Sequence, residues 1–272
     1  MTEKEFLEYA ASVEPAYMQA VKEAEARQAK LAKPPHSLGK LEEISIKTAG
    51  ITGRVLNRID KCRVLVFAAD NGVVCEGVAV TPQSVPLKQC INMTMHKTGM
   101  SALAKYFGNS VRIYDVGINA AFAHPGIIDR KVRFGTGNIR RGPAMSREEC
   151  IKAICAGIEA AETAAADGVD AVGIGEMGIG NTTSSAAVLA SLLEIEPDLV
   201  TERGSGLTDE AYELKKTVVS EAIKLNSPNI EDAIDVLSKV GGLDIAARAG
   251  AYIGLAKMRI PAVADGFISI VA

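Results

Sequence analysis

The residues of this chain that could do chemistry crowd into Asp170–Ser185, DAVGIGEMGIGNTTSS. An apolar run, Val169 to Ile174, leads into Gly173, Gly175, Gly178 and Gly180; Asn181, Thr182 and Thr183 follow, then the alanine-rich Ala186–Leu193. Read as strand, glycine loop and polar helix start, the stretch makes backbone N–H groups converge on an anion such as phosphate. Glu176 stands inside that loop. A carboxylate there repels an anionic ligand, so its presence asks for a chemical reason. Gly173, Gly175 and Gly178 also spell GxGxxG, with Glu194 and Glu196 downstream, which makes a dinucleotide site a competing reading. It is the weaker one, because that fingerprint belongs to the first βα unit and this is the third strand or later. No Gly-Lys-Ser/Thr occurs, so a Walker A loop is excluded. A second glycine-rich segment, GSGLTDE, precedes a helix bearing Lys215 and Lys216, either of which could reach a phosphate if that helix starts at the same edge.

The elements that must position these residues follow from hydrophobic pattern. Phe6, Tyr9, Val13, Tyr17 and Val21 recur at helical spacing and predict one or two amphipathic helices, interrupted near Pro15. KPPHSLG (33–39) breaks them, and 41–53 resumes as helix. From Lys61 the pattern changes to apolar runs closed by Asp or Gly: 62–70 ending in Asp70, 110–118 carrying Asp115, then Val169–Ile174, and Pro261–Ala264 before Asp265–Gly266. Continuous apolar runs of this kind predict buried parallel strands. Helices are expected over 87–107, 146–168 (with Ser146 and Glu149 as a capping box), from Thr208 or Asp209 to 226, over Ile230–Lys239, and over the small-residue stretch 241–261. The segment 119–146 reads as loop with one strand-like piece, VRF. The expected fold is α/β, a doubly wound, mostly parallel, Rossmann-like sheet, with a smaller helical domain built largely from N-terminal helices (1–60) beside an α/β domain (61–272). Such sheets bind ligands outside the carboxyl ends of their strands. That rule gathers Asp70, Asp115, the glycine loop and Asp265 on one edge.

Composition narrows the function. With 272 residues, 48% hydrophobic and 23% charged, the chain can bury a large core, and a net charge of −3 carries no footprint for nucleic acid. No apolar run is long enough to span a bilayer and the acidic start MTEKEFLEY is not signal-like, so a cytoplasmic protein is expected. Five scattered cysteines form no CxxC and read as reduced structural thiols; His36, His96 and His124 have no metal-ligand spacing, so no metal is expected.

KPPHSLGKLE (33–42), FAADNGVVCEGVAVTPQSV (67–85), GTGNIRRGPAMSREE (135–149), GIGEMGIGNTTSSAA (173–187), GSGLTDE followed by Lys215, and GGLDIAARAGAYIGLAKMRIPAVADGFIS (241–269) occur together in this order. In that they resemble the nicotinate-nucleotide:dimethylbenzimidazole phosphoribosyltransferases of cobamide (vitamin B12) lower-ligand assembly, over nearly the whole chain. The resemblance implies transfer of the 5-phosphoribosyl group from nicotinate mononucleotide to an aromatic base, with inversion at the anomeric carbon, by a homodimer without cofactor. It implies that Gly178, Gly180, Asn181 and Thr182, with Gly204 and Lys215, hold phosphate and ribose, with Asp265 near the same edge. The loop 77–88 would line the base pocket through Ala79, Thr81, Pro82 and Lys88, with Met177. Here the chain departs from the family: Ala79 stands for Ser, Thr81 for Tyr, Pro86 for Thr and Lys88 for Gln, so a purine, another benzimidazole or a phenol is as plausible an acceptor as dimethylbenzimidazole. The family's general-base Glu lies in a segment past the position of Ala272. The expectation is therefore a shortened chain, or one completed by a homologous subunit, with a non-catalytic nucleotide-binding subunit as the alternative. Glu176 is the matched acid that remains. Gly178→Asp is expected to abolish mononucleotide binding by placing a carboxylate where the phosphate sits.

Overall fold

The computed structural model describes every residue except Ser205. In chain order the elements are α1 (Glu3–Ala11), α2 (Met18–Lys30), α3 (Lys40–Thr52), β1 (Cys62–Ala69), α4 (Val85–Thr94), α5 (Gly99–Tyr106), β2 (Ser110–Gly117) and β3 (Ile127–Asp129). They continue with α6 (Arg147–Ala166), β4 (Ala171–Met177), α7 (Asn181–Leu193), α8 (Asp209–Asn226), α9 (Ala233–Val240), α10 (Leu243–Lys257), β5 (Ala262–Val263) and α11 (Gly266–Val271). The strands form one five-stranded sheet in the order β3-β2-β1-β4-β5, every pairing parallel. β1 is central, and the order reverses beside it, between β1 and β4. The doubly wound expectation holds.

Side-chain alternation explains the layers. Leu65, Phe67 and Ala69 of β1 enter a large core with α6, α7 and α10, while Val66 and Ala68 point the other way, into a smaller cluster with Cys90 of α4. α6 and α10 pack closely enough that glycine is required: a Cβ on Gly157 would lie 1.7 Å from the Ala247 carbonyl oxygen. Ser146 caps α6 as the capping box predicts, its hydroxyl accepting from the Glu149 N–H.

Several local expectations change. The predicted helix over 87–107 is two helices, since the chain turns between Thr94 and Gly99. VRF is not a strand; the edge position is taken by Ile127–Asp129 instead. The predicted helix at Ile230 begins only at Ala233, where Asp232 accepts from the Ile234 and Asp235 N–H groups. β5 is short and exposed rather than buried, because it borders the sheet. Asp265 and Gly266 then start a short helix. No helix among the described residues is long and apolar enough to cross a membrane.

The largest change concerns the glycines. β4 runs to Met177, so Gly173 and Gly175 are strand residues paired with Val64 and Val66, and the connecting turn is only Gly178–Gly180. α7 starts at Asn181, five residues before the predicted alanine-rich start, which puts Asn181, Thr182 and Thr183 in its first turn.

Candidate active site

Gly180 makes the strand-to-helix turn possible. Its φ of +86° is left-handed, and a Cβ there would lie 2.6 Å from a Val74 methyl. No side chain caps α7, so the Asn181 and Thr182 N–H groups keep their capacity for a ligand, while the Thr183 N–H donates to the Gly180 carbonyl. Asn181 and Thr182 open onto a cavity of about 100 Å³, shared with Gly178, Gly204, Arg203, Lys215 and the loop Val78–Thr81.

Lys215 comes up from α8, whose start is set by the Thr208 hydroxyl accepting from the Ala211 N–H. Val218, Val219 and Ala222 seat the same helix in the core. The Lys215 side chain is only 1% exposed. Its Nζ donates to Thr182 Oγ1 at 2.9 Å and to the Glu202 carbonyl at 2.8 Å. Burial lowers this ammonium to about 8. Gly204 keeps the opposite wall low: a Cβ there would meet Lys215 Nζ at 3.6 Å and Thr182 Oγ1 at 3.8 Å. The result is a cation, a hydroxyl and a helix N-terminus facing one small space, a cradle whose chemistry suits an anion. Lys216 faces away, paired with Glu213 at 2.8 Å and lying over the Tyr212 ring.

The other side of the turn is acidic. Asn181 Nδ2 donates to Glu176 Oε2 at 2.6 Å and to Asp244 Oδ2 at 2.8 Å, so one amide bridges two carboxylates. Asp244 is fully buried in the first turn of α10, and Arg248 follows it one turn later, 1% exposed. Burial, and next the charge of Asp244, push the Glu176 carboxyl up to about 7, against the opposing pull of the Asn181 amide and the Arg248 guanidinium. Burial also raises Asp244. Oδ1 of Asp244 and Nε and Nη1 of Arg248 have no hydrogen-bond partner among the described residues.

The structure brings together Gly178, Gly180, Asn181, Thr182, Gly204, Lys215, Ala79 and Thr81 around the cradle. It places others apart. Asp265 accepts from Ser269 Oγ at 2.8 Å and shares a second cleft, of about 280 Å³, with Glu176 and Arg248. Pro82 is exposed beside Thr81, Lys88 is exposed on α4, and Met177 packs against the smaller core cluster. Asp115 is structural, its carboxylate accepting from the Gly117 and Ile118 N–H groups and pairing with Lys131 at 2.7 Å. Gly178 lines the cradle by its backbone alone. Its Cβ would point to Asp244 Oδ2 at 2.8 Å and the Ala69 carbonyl at 2.9 Å, so Gly178→Asp would wreck the packing beneath the site rather than put a carboxylate in it.

Asp244, Arg248 and Arg203 escaped sequence reasoning. The first two left a signal: opposite charges four apart in GLDIAARAG, a stretch otherwise of apolar and small residues. Arg203 left only its position next to Gly204.

The comparisons agree with this geometry. A phosphoribosyltransferase family model, DBI_PRT, matches residues 13–272. The nicotinate-nucleotide–dimethylbenzimidazole phosphoribosyltransferase of Clostridium perfringens (strain 13 / Type A) is 48% identical over 241 residues, covering 89% of this chain and 67% of that protein. Its namesake from Geobacter metallireducens is 46% identical over 248 residues, 91% of this chain and 70% of its own length. The crystal structure of CobT from Thermus thermophilus superposes with a TM-score of 0.89 at 38% identity, across 93% of this chain and 76% of that one. With the family model running from residue 13 to the last residue, and with relatives of this identity, the chain belongs to the DBI_PRT phosphoribosyltransferase family.

Proposed function

We propose that this chain transfers the 5-phosphoribosyl group of nicotinate mononucleotide to an aromatic base, releasing nicotinate and forming an α-ribazole 5′-phosphate-type nucleotide for the lower ligand of cobamides. The observation that carries the reading is the pairing, across Asn181, of a monophosphate-sized cradle with a carboxylate of near-neutral proton affinity. The printed names of the relatives support it.

In this reading the phosphate enters between Lys215, Thr182 and the start of α7, with Gly178, Gly180 and Gly204 keeping the walls low. Binding a dianion restores the full charge of Lys215, since an opposite charge favours the ammonium. The C–N bond to the pyridinium breaks with its electron pair going to the ring nitrogen, so the leaving group needs no proton. Positive charge builds on the anomeric carbon, and the ionised Glu176 carboxylate stabilises it. The acceptor nitrogen attacks the opposite face and must lose its proton; a carboxyl near 7 can take it at neutral pH. Ala79 and Thr81 face the incoming base, with Pro82, Lys88 and Met177 as its outer neighbours and Asp265 a further acid in the cleft beside Glu176.

The same reading keeps the helical region up to residue 60 as a unit beside the α/β unit from 61. The small separate core of Ala20, Ala24 and Ala49 supports such a unit for α2 and α3, whereas Phe6 seats α1 in the large core of the α/β unit. Exposed Leu41, Ile44 and Leu56 on and after α3 support a homodimer, to be checked by light scattering. The activity itself is tested by incubating the chain with nicotinate mononucleotide and a panel of benzimidazoles, purines and phenols. Nicotinate release by chromatography, and a product mass equal to base plus phosphoribosyl, are expected; no release with any base contradicts the reading.

A further inference from the structure

Lys215 supplies at most one positive charge to the cavity. A phosphate monoester carries about 1.5 to 2 negative charges at pH 7. With Lys215 alone the cradle is therefore short of positive charge. Among the described residues lining the cavity, Arg203 is the other cation. It sits beside Gly204 in the cavity lining. Its Nη1 donates to the Leu207 carbonyl at 3.0 Å, and its Nη2 donates to Asp209 Oδ1 at 2.5 Å. The guanidinium lies 4.9 Å from the centre of the Tyr212 ring, and the Tyr212 hydroxyl is itself tied to the Thr201 carbonyl at 2.8 Å. The head group is thus held by the Tyr212 ring and a neutral carbonyl, while among the described residues its charge is matched by Asp209.

That ion pair is easily exchanged. The Asp209 side chain is 86% exposed, and exposed pairs contribute at most about 1 kcal/mol. A guanidinium fork binds two phosphate oxygens at once, with shorter and stronger hydrogen bonds than to a neutral acceptor. We propose that Arg203 is the second cation of the cradle, a specificity-determining residue that gives up Asp209 to bind the phosphate of the incoming nucleotide. The proposal rests on the mononucleotide reading for its ligand, though its phosphate chemistry stands alone. Stacking on Tyr212 survives the exchange, so the arginine swings without losing its platform. Donors lacking the phosphate gain nothing from it.

The competing explanation is a brace: Arg203 and Asp209 simply hold the loop before α8. Calorimetric titration of the wild type, Arg203→Ala, Arg203→Lys and Asp209→Asn with inorganic phosphate, nicotinate mononucleotide and nicotinate riboside separates the two. Losing one charged, paired donor should weaken mononucleotide and phosphate binding about tenfold in Arg203→Ala, and less in Arg203→Lys. Riboside binding stays unchanged, and Asp209→Asn binds phosphate as well as the wild type or better. Arg203→Ala within twofold of the wild type for phosphate overturns the proposal. So does Asp209→Asn weakening as much as Arg203→Ala, which is the signature of a brace. A wild type that binds phosphate but not the mononucleotide contradicts the transferase reading while leaving the Arg203 comparison decisive; one that binds neither overturns both.

Discussion

Charged groups stand on either side of Asn181, and the chain treats the two sides differently. On the cradle side, Lys215 is 1% exposed but spends two protons on good acceptors, Thr182 Oγ1 and the Glu202 carbonyl. On the acidic side, Glu176 and Asp244 share a single amide donor, and one Asp244 oxygen and two Arg248 nitrogens face no partner among the described residues. An unsatisfied buried polar group costs about 1–3 kcal/mol, more when charged. The Lys215–Thr182 wall of the cradle is thus assembled in advance. The carboxylate pocket holds its charge at a cost, and that cost is what moves Glu176 to neutrality. Binding and reactivity are divided across one side chain.

The sharpest way to break this division is Glu176→Gln. If the carboxylate stabilises the ribosyl cation, the single-turnover rate falls about 100-fold, the scale of losing one electrostatic stabiliser, while mononucleotide affinity holds. Lys215→Ala should do the reverse, weakening mononucleotide binding about 10- to 100-fold in a calorimetric titration, the range for a charged hydrogen-bond donor. Gly178→Ala probes the wall between the two sides. With Asp244 Oδ2 at 2.8 Å and backbone at 2.9 Å, the extra methyl should lower stability by about 1–3 kcal/mol, read by denaturant unfolding.

pH separates the two sides more finely. Glu176 is raised in the folded chain, so between its ordinary 4.5 and about 7 the folded state holds a proton that the unfolded state has lost. Its contribution to stability therefore falls as pH rises through that window, and Glu176→Gln should flatten the loss in thermal melts. The transfer rate should move oppositely, rising as Glu176 ionises towards pH 7 and above, and Asp244→Asn should shift that rise to lower pH by removing a neighbouring negative charge. Lys215, lowered to about 8, gives the smallest effect: mononucleotide affinity should decline gradually once pH passes that value.

Much of this was legible in the chain itself. Apolar runs ending in Asp70 and Asp115 announced parallel strands, and GxGNTT announced an anion site, because both depend on short local patterns. Gly173 and Gly175 misled because glycine in a loop and glycine in a strand are spelled alike; β1 pairing decides between them, and that is a long-range fact. β5 looked buried by composition, but an edge strand's exposure depends on its neighbours, not on its residues. Asp265 lies at the expected end of the sheet, yet it accepts from Ser269 and lines the cleft of Glu176 and Arg248 rather than the cradle. Asp244 was hidden for the same reason: its partner, Asn181, is 63 residues away.

The central claim is that Asn181 divides a binding side from a reacting side. Measuring the mononucleotide dissociation constant and the single-turnover transfer rate together, for the wild type, Lys215→Ala and Glu176→Gln at pH 8, tests it most directly. The account predicts that Lys215→Ala raises the dissociation constant but transfers normally at saturation, whereas Glu176→Gln binds normally and transfers slowly. Equal loss of binding and rate in both variants would contradict it.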